Sequence, residues 1–239
     1  IVGLAFIIWL VMLVKLQPIT KHLELKTEKT AIKHSWHTLI NRHYRVGFLM
    51  TALLSVGGFM MMPWGSAFAV NNLDVSYDQL PILFMGSGIA ALFIMPLIGK
   101  LSDKGDKLKI FNVAATLMMV FVVIYTNLRP VPFLIVLMMN ILMISAIMSR
   151  MVPAMALVSA LPQMQDRGAF MSINSSLQQI AGGISAAVGG MIVVQKTKTS
   201  PLQHYDVLGY VIVVIIIANI IQAYRVNNLI KAQKHTGKI

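Results

Sequence analysis

The sequence predicts an all-α bundle of membrane-spanning helices, and three observations lead to this prediction. Hydrophobic residues make up 57% of the 239-residue chain and charged residues only 12%, while the mean hydropathy is +0.75. Soluble domains carry about a quarter charged residues, so this composition excludes an ordinary soluble enzyme, a disordered chain and a nucleic-acid-binding module. Long uncharged runs also alternate with short basic segments, a pattern typical of helices that cross a bilayer repeatedly.

The first apolar run covers residues 1–14, which would span about 21 Å as a helix. A bilayer core is about 30 Å thick, so this run is too short for a complete crossing. Its basic flank begins at Lys15 and follows the run, whereas a signal peptide carries its basic residues first. We therefore interpret 1–14 as the end of a transmembrane helix.

The polar segment 15–45 is predicted to be a cytoplasmic linker that contains a short helix on the membrane surface. Four apolar residues of this segment share one helical face: Ile32, Trp36, Leu39 and Ile40. His34 and His37 have a spacing that suits a metal ion, but neither cysteine nor a nearby carboxylate accompanies them. A solvated polar face is the favoured interpretation, and we expect no metal and no cofactor.

The transmembrane bundle is predicted to cover 46–225, and the remaining residues, 226–239, to form a cytoplasmic tail. The predicted spans are 46–70, 80–99, 109–128, 131–160, 168–194 and 206–224. When these spans alternate in direction, 16 of the 20 Lys and Arg residues fall on the side of the linker and tail. The positive-inside rule places that side in the cytoplasm. The net charge of +12 is therefore a topology signal, and a multi-pass protein of the cell (inner or plasma) membrane is expected, with no nucleic-acid partner.

The loop between the second and third of these spans carries the most specific motif, Gly-Lys-Leu-Ser-Asp-Lys-Gly-Asp-Lys over 99–107. Glycine allows a tight turn, and a carboxylate at a helix end can cap a neighbouring helix in one conformation and release it in another. A simple basic turn is the alternative. The candidate gating residues are Gly99, Leu101, Asp103, Lys104 and Lys107.

This loop resembles the signature that the major facilitator superfamily carries between its helices 2 and 3 and again between helices 8 and 9. The stretch from Pro162 to Gly168 and the polar and glycine residues after it are similar to the helix 10–11 region of that family. Three further stretches resemble its drug- and arabinose-efflux-like permeases: 65–73, 79–81 and 149–154. The resemblance implies that this chain is the C-terminal six-helix half of a twelve-helix permease, from the end of helix 6 to helix 12. The N-terminal half would belong to the same protein.

Arg150 is the first candidate for a substrate cavity because its predicted span contains no acidic residue. Charged residues inside a membrane are rare and by default functional. Arg150 either binds an anionic group of a substrate or pairs with a carboxylate of the N-terminal half. The alternative is that its long side chain reaches the cytoplasmic interface.

Other cavity candidates are polar or adaptable side chains: Asn140, Asn174, Gln178, Met60 and Trp64. Two of them, Asn174 and Gln178, lie one helical turn apart and either line a water-filled cavity or hydrogen-bond neighbouring helices. The methionine and tryptophan either form an adaptable apolar wall or take ordinary packing roles.

Helix packing and bending are assigned to small residues and proline. Gly57, Gly58 and Pro63 weaken the first full span, which is therefore expected to bend. Gly182 and Gly190 belong to a stripe of small residues that allows close helix contact in lipid.

No carboxylate or imidazole lies in the middle of a predicted span, so neither a hydrolytic membrane enzyme nor a proton relay within this half is expected. The resemblance implies a secondary active transporter that exports drug-like or sugar-like compounds by proton antiport with alternating access, its coupling acid lying in the N-terminal half. Expected partners are a small-molecule substrate, protons and the lipid bilayer. A metabolite importer of the same superfamily and a half-size membrane scaffold without transport activity are the alternatives.

Overall fold

The computed structural model describes residues 31–235. The chain separates into two units between His34 and Ser35, and the second unit contains the helix bundle. The predictions for 1–14, for 15–30 and for 236–239 lie outside the described residues. The helices in the described part are α1 (Ala31–Ile40), α2 (Arg42–Phe59), a 3-10 helix (Met62–Trp64), α3 (Gly65–Leu73), α4 (Leu80–Lys104), α5 (Lys107–Thr126), α6 (Phe133–Val158), α7 (Arg167–Ile192) and α8 (Tyr205–His235).

The prediction of an all-α membrane bundle is confirmed. Five helical segments of the described chain are long and apolar enough to cross a membrane: Arg42–Leu73, Leu80–Lys104, Lys107–Thr126, Phe133–Val158 and Tyr205–Gln233. Helix α7 has 26 residues, but its serines, glutamines and glycines make it less apolar than these five. Its assignment as a further span, and the division into a six-helix half, remain predictions.

The described helices differ most from the predicted spans at two places, and α4 also continues five residues beyond the predicted end at 99. The predicted span 46–70 is interrupted, since α2 ends at Phe59 and the chain passes through the 3-10 helix before α3 begins at Gly65. The last helix continues to His235, eleven residues beyond the predicted end at 224. Val226 and Ile230 are buried in this extension, so packing against the bundle keeps it helical.

A helix is present where the surface helix of the linker was predicted. In α1, Trp36 is 63% exposed and Ile40 is also exposed, as side chains that insert into a headgroup layer must be. That α1 lies on a membrane surface remains a prediction.

The helices pack in two groups. Helix α6 lies against α4 and α5, while α2 lies against α7 and α8. Contacts between α5 and α8 and between α2 and α6 join the groups. Helices α2 and α6 therefore meet where the two groups join.

Tyr44, at the start of α2, connects that helix to the beginning of α7. Its hydroxyl donates to Asp166 Oδ2 at 2.8 Å and accepts from the Gln163 amide at 3.2 Å. Just inside, Phe48 stacks on Phe170 with ring centroids 4.7 Å apart. These contacts hold the beginnings of α2 and α7 together.

Asn72, at the end of α3, makes the corresponding connection at the other end of the bundle. Its side-chain amide accepts from the Leu202 N–H at 2.8 Å and donates to the Leu202 carbonyl at 3.0 Å. Leu202 lies in the turn between α7 and α8, beside the bridge that pairs Val194 with Gln203. The interrupted helix is therefore anchored at both of its ends.

Candidate functional site

A cavity of about 490 Å³ lies between α2 and α6. Its wall along α6 is formed by Met143, Ile144, Ile147, Met148 and Met151, and across from it stand side chains of α2 and of the interruption after α2. The lining is mostly apolar. Cavities of this size with a few polar groups are typical of small-molecule sites.

The arginine in this wall is held by backbone of the opposite helix. Arg150 is only 1% exposed, and its Nη2 donates to the Leu54 carbonyl of α2 at 3.0 Å. Its Nε and Nη1 are buried without a hydrogen-bond partner among the described residues. The side chain is therefore directed across the bundle, and its length does not carry it to an interface.

Gly57 provides the space for this guanidinium. A Cβ at residue 57 would lie 3.2 Å from Arg150 Nη2 and 3.2 Å from the terminal methyl of Met118. Gly58, the next residue, lines the cavity itself. Both predicted hinge glycines thus lie at the site, and the close approach of α2 to the arginine depends on the first of them.

A second polar group lies further along α6. Asn140 is buried and lines the cavity. It accepts from the Ser87 hydroxyl of α4 at 2.7 Å and donates to the Tyr125 hydroxyl of α5 at 3.5 Å. Tyr125 and Tyr205 also line the cavity. The sequence-based search selected Asn140 but missed the two tyrosines, since an isolated tyrosine near a helix end carries no pattern that distinguishes it.

The predicted pair on α7 separates in the structure. Gln178 lines the cavity. Asn174 is 1% exposed and is not part of the lining, and both polar atoms of its side chain lack a hydrogen-bond partner within residues 33–233. The pair therefore does not act as one polar patch.

Met60 and Trp64 lie against α7 and outside the cavity lining. The carbonyl oxygen of Met60 would be 2.8 Å from a Cβ at Gly189, and the Trp64 ring 3.4 Å from one at Gly190. Met61 and Met62 line the cavity in their place. Because the α-helix is interrupted after Phe59, the residues that follow do not continue its periodicity. That periodicity therefore could not predict which of these side chains line the cavity.

The predicted packing residues of α7 lie against the first span, Gly182 against α2 and Gly190 against the 3-10 helix. A Cβ at Gly182 would approach the Phe59 ring to 3.0 Å. The closest backbone approach is at Gly189, which the predicted stripe did not include. Pro63 is exposed in the 3-10 helix, where it shapes the interruption of the span.

The candidate gating loop lies away from the cavity. Gly99, Leu101, Asp103 and Lys104 occupy the last turns of α4, and Lys107 begins α5. The carboxylate that caps a helix is Asp106, which accepts from the amides of Leu108 at 2.9 Å and Lys109 at 3.4 Å. The sequence-based interpretation left open which aspartate would do so, and it named only Asp103 as a gating residue.

The comparisons with known proteins agree with this architecture of apolar helices beside a largely apolar cavity. The sequence model of the Major Facilitator Superfamily matches residues 1–226. No match is found among curated proteins. A match over nearly the whole chain, together with the membrane helix bundle, shows that the chain belongs to the Major Facilitator Superfamily of membrane transporters.

Proposed function

We propose that this protein exports small organic compounds from the cell, with a proton gradient as the driving force. The observation that carries the proposal is the apolar cavity between α2 and α6. Isolated polar groups at Arg150, Asn140 and Gln178 would orient a substrate, while the apolar wall binds its body.

The chemistry of the wall favours drug-like substrates over sugar-like ones. A sugar presents a hydroxyl on nearly every carbon, and each buried hydroxyl needs a hydrogen-bond partner. Five of the lining side chains are methionines: Met61, Met62, Met143, Met148 and Met151. Methionine is flexible and polarizable and adapts to apolar bodies of varied shape.

Alternating access would use the interruption of the first span. Gly57 and Gly58 precede it and Pro63 lies within it, so the segment carries weak points where a helix can bend. The two ends of the span are tied to neighbouring segments by Tyr44 and Asn72. Bending between fixed ends would change the cavity wall while the rest of the bundle moves as a body.

Proton coupling is assigned to the N-terminal six-helix half that the family fold would supply. The acidic residues of the described chain lie in turns or near helix ends, and none of them lines the cavity: Asp74, Asp78, Asp103, Asp106, Asp166 and Asp206. A carboxylate that binds protons during transport would therefore come from that half, facing this cavity.

Transport into everted membrane vesicles that contain the full-length protein tests the proposal. We expect accumulation of apolar fluorescent compounds when respiration energises the vesicles, and loss of accumulation when a protonophore dissipates the gradient. Vesicles without the protein are the control. Accumulation that the protonophore does not reduce contradicts proton antiport. Uptake by intact cells, without accumulation in everted vesicles, indicates an importer.

A further inference from the structure

Arg150 is a buried positive charge without a counter-ion among the residues that the structure describes. Its side chain is 1% exposed, and two of its three guanidinium nitrogens have no hydrogen-bond partner within the described part of the chain. Nη2 donates to the neutral Leu54 carbonyl, and none of the described aspartates lines the cavity. A buried charge is strongly unfavourable unless it is paired and hydrogen-bonded. An anion close to Arg150 would therefore stabilise the buried charge.

The rest of the wall indicates the shape of that anion. Arg150 and Asn140 are ten residues apart on α6, which corresponds to about 15 Å along the helix. The residues between them that line the cavity are apolar: Met143, Ile144, Ile147 and Met148. Asn140 donates to the Tyr125 hydroxyl, and Tyr205 also lines the cavity. The cavity thus runs from a cation, along an apolar wall, to a neutral hydrogen-bonding end.

We propose that the cavity selects elongated amphiphilic organic anions. The carboxylate or sulfonate of such a compound would accept hydrogen bonds from Arg150 Nε and Nη1. The apolar body of the compound would lie against the apolar side chains of α6 that line the cavity. The other end would meet Asn140 and Tyr125. This proposal rests on the proposed function and names its substrate class.

Anion binding requires a small adjustment of the wall, since Arg150 exposes little of its surface. Three of the wall residues on α6 are methionines, whose three rotatable bonds allow such shifts at low cost. A cation of the same shape gains nothing from this adjustment. It would place a second positive charge beside Arg150 in a medium of low dielectric constant, so lipophilic cations are excluded.

Binding of a matched series of compounds to the purified full-length protein tests the selection. Tritiated phenylhexanoate is the probe in a scintillation proximity assay, with phenylhexanol and phenylhexylamine as competitors that share its body and differ in charge. We expect the anion to bind at least about tenfold more tightly than the amine, a typical gain for one charge-assisted pair. Equal affinities, or a preference for the amine, overturn the proposal.

Substitutions test whether Arg150 causes the preference for the anion over the amine. Arg150→Met removes the charge with little change in volume and is expected to abolish the preference while phenylhexanol still binds. Arg150→Lys keeps the charge without the planar fork of donors, so this variant should retain part of the anion preference. Arg129→Met is the matched control because Arg129 is exposed in the turn before α6. A preference that survives Arg150→Met contradicts the proposal.

Gly57→Ala keeps the experiment decisive where Arg150→Met fails to fold. Its added methyl lies 3.2 Å from Nη2 and should weaken phenylhexanoate binding several-fold more than phenylhexanol binding. If Arg150 is instead neutralised by a carboxylate of another part of the protein, the wild type shows no anion preference, which overturns the proposal.

The outcomes separate this proposal from the proposed function. Export of lipophilic cations by everted vesicles, without anion preference in the binding assay, supports export and overturns anion selection. Anion preference without proton-driven accumulation supports anion selection and contradicts proton-driven export.

Discussion

At the scale of single residues, the position of the Arg150 guanidinium depends on one backbone carbonyl and one glycine of α2. Arg150 was identified because an arginine stands in an apolar span without an acid. Its partner is the carbonyl of Leu54, 96 residues away, and its space comes from Gly57. Neither contact has a sequence signal, because every residue has a carbonyl and many glycines serve other purposes.

Gly189 gives a prediction at this scale, with Gly183 on the same helix as its control. A Cβ at residue 189 would lie 2.8 Å from the Met60 carbonyl oxygen, whereas residue 183 has open space around it. Overpacking costs about 1–3 kcal/mol, so Gly189→Ala should lower the thermal unfolding temperature in detergent. Gly183→Ala should leave it unchanged or raise it slightly, because alanine favours helix by about 1 kcal/mol over glycine. Equal effects of the two changes would contradict this assignment of the close approach.

At the scale of elements, hydropathy predicted the positions of the apolar helices, but it did not predict that the first span is divided after Phe59. The sequence predicted a bend there from two glycines and a proline. The helix ends at Phe59, and the residues that follow, Met60 and Trp64, pack against α7. Such packing joins segments more than a hundred residues apart, so local pattern cannot specify it.

The start of α5 provides an element-scale prediction about two aspartates. Asp106 accepts from two backbone amides, and loss of such a cap costs about 1 kcal/mol. Asp106→Ala should therefore lower the unfolding temperature, and Asp103→Ala should not, since Asp103 is exposed on the last turn of α4. If Asp103 acts in gating, Asp103→Ala should slow transport in vesicles at unchanged stability. Normal transport by that variant would remove Asp103 from the gating residues.

A further prediction at the scale of elements concerns the turn between α7 and α8. Asn72 makes two hydrogen bonds to the backbone of Leu202, each worth about 1 kcal/mol. Asn72→Ala should speed hydrogen exchange of the Leu202 amide by at least about tenfold. Asn71→Ala is the control because Asn71 makes one longer bond, 3.4 Å to the Lys198 carbonyl. Unchanged exchange at Leu202 in the Asn72 variant would show that other contacts hold the turn.

At the scale of the whole molecule, composition and charge distribution were sufficient to predict the fold class, because a bilayer imposes long apolar helices on any chain that crosses it. The cavity could not be predicted in the same way. It is bounded by residues from Leu54 to Tyr205, and its volume depends on how all these helices pack. Of the six cavity candidates taken from the sequence, Arg150, Asn140 and Gln178 line it; Asn174, Met60 and Trp64 pack elsewhere.

The five methionines of the cavity make its chemistry depend on oxidation. Peroxide converts a thioether to a sulfoxide, which is polar and chiral, and Met62 is 75% exposed and should react early. Peroxide-treated protein should therefore bind phenylhexanol less tightly than untreated protein, and methionine sulfoxide reductases should restore the affinity. A cavity built from these residues would lose its apolar wall under oxidative stress and regain it through enzymatic repair.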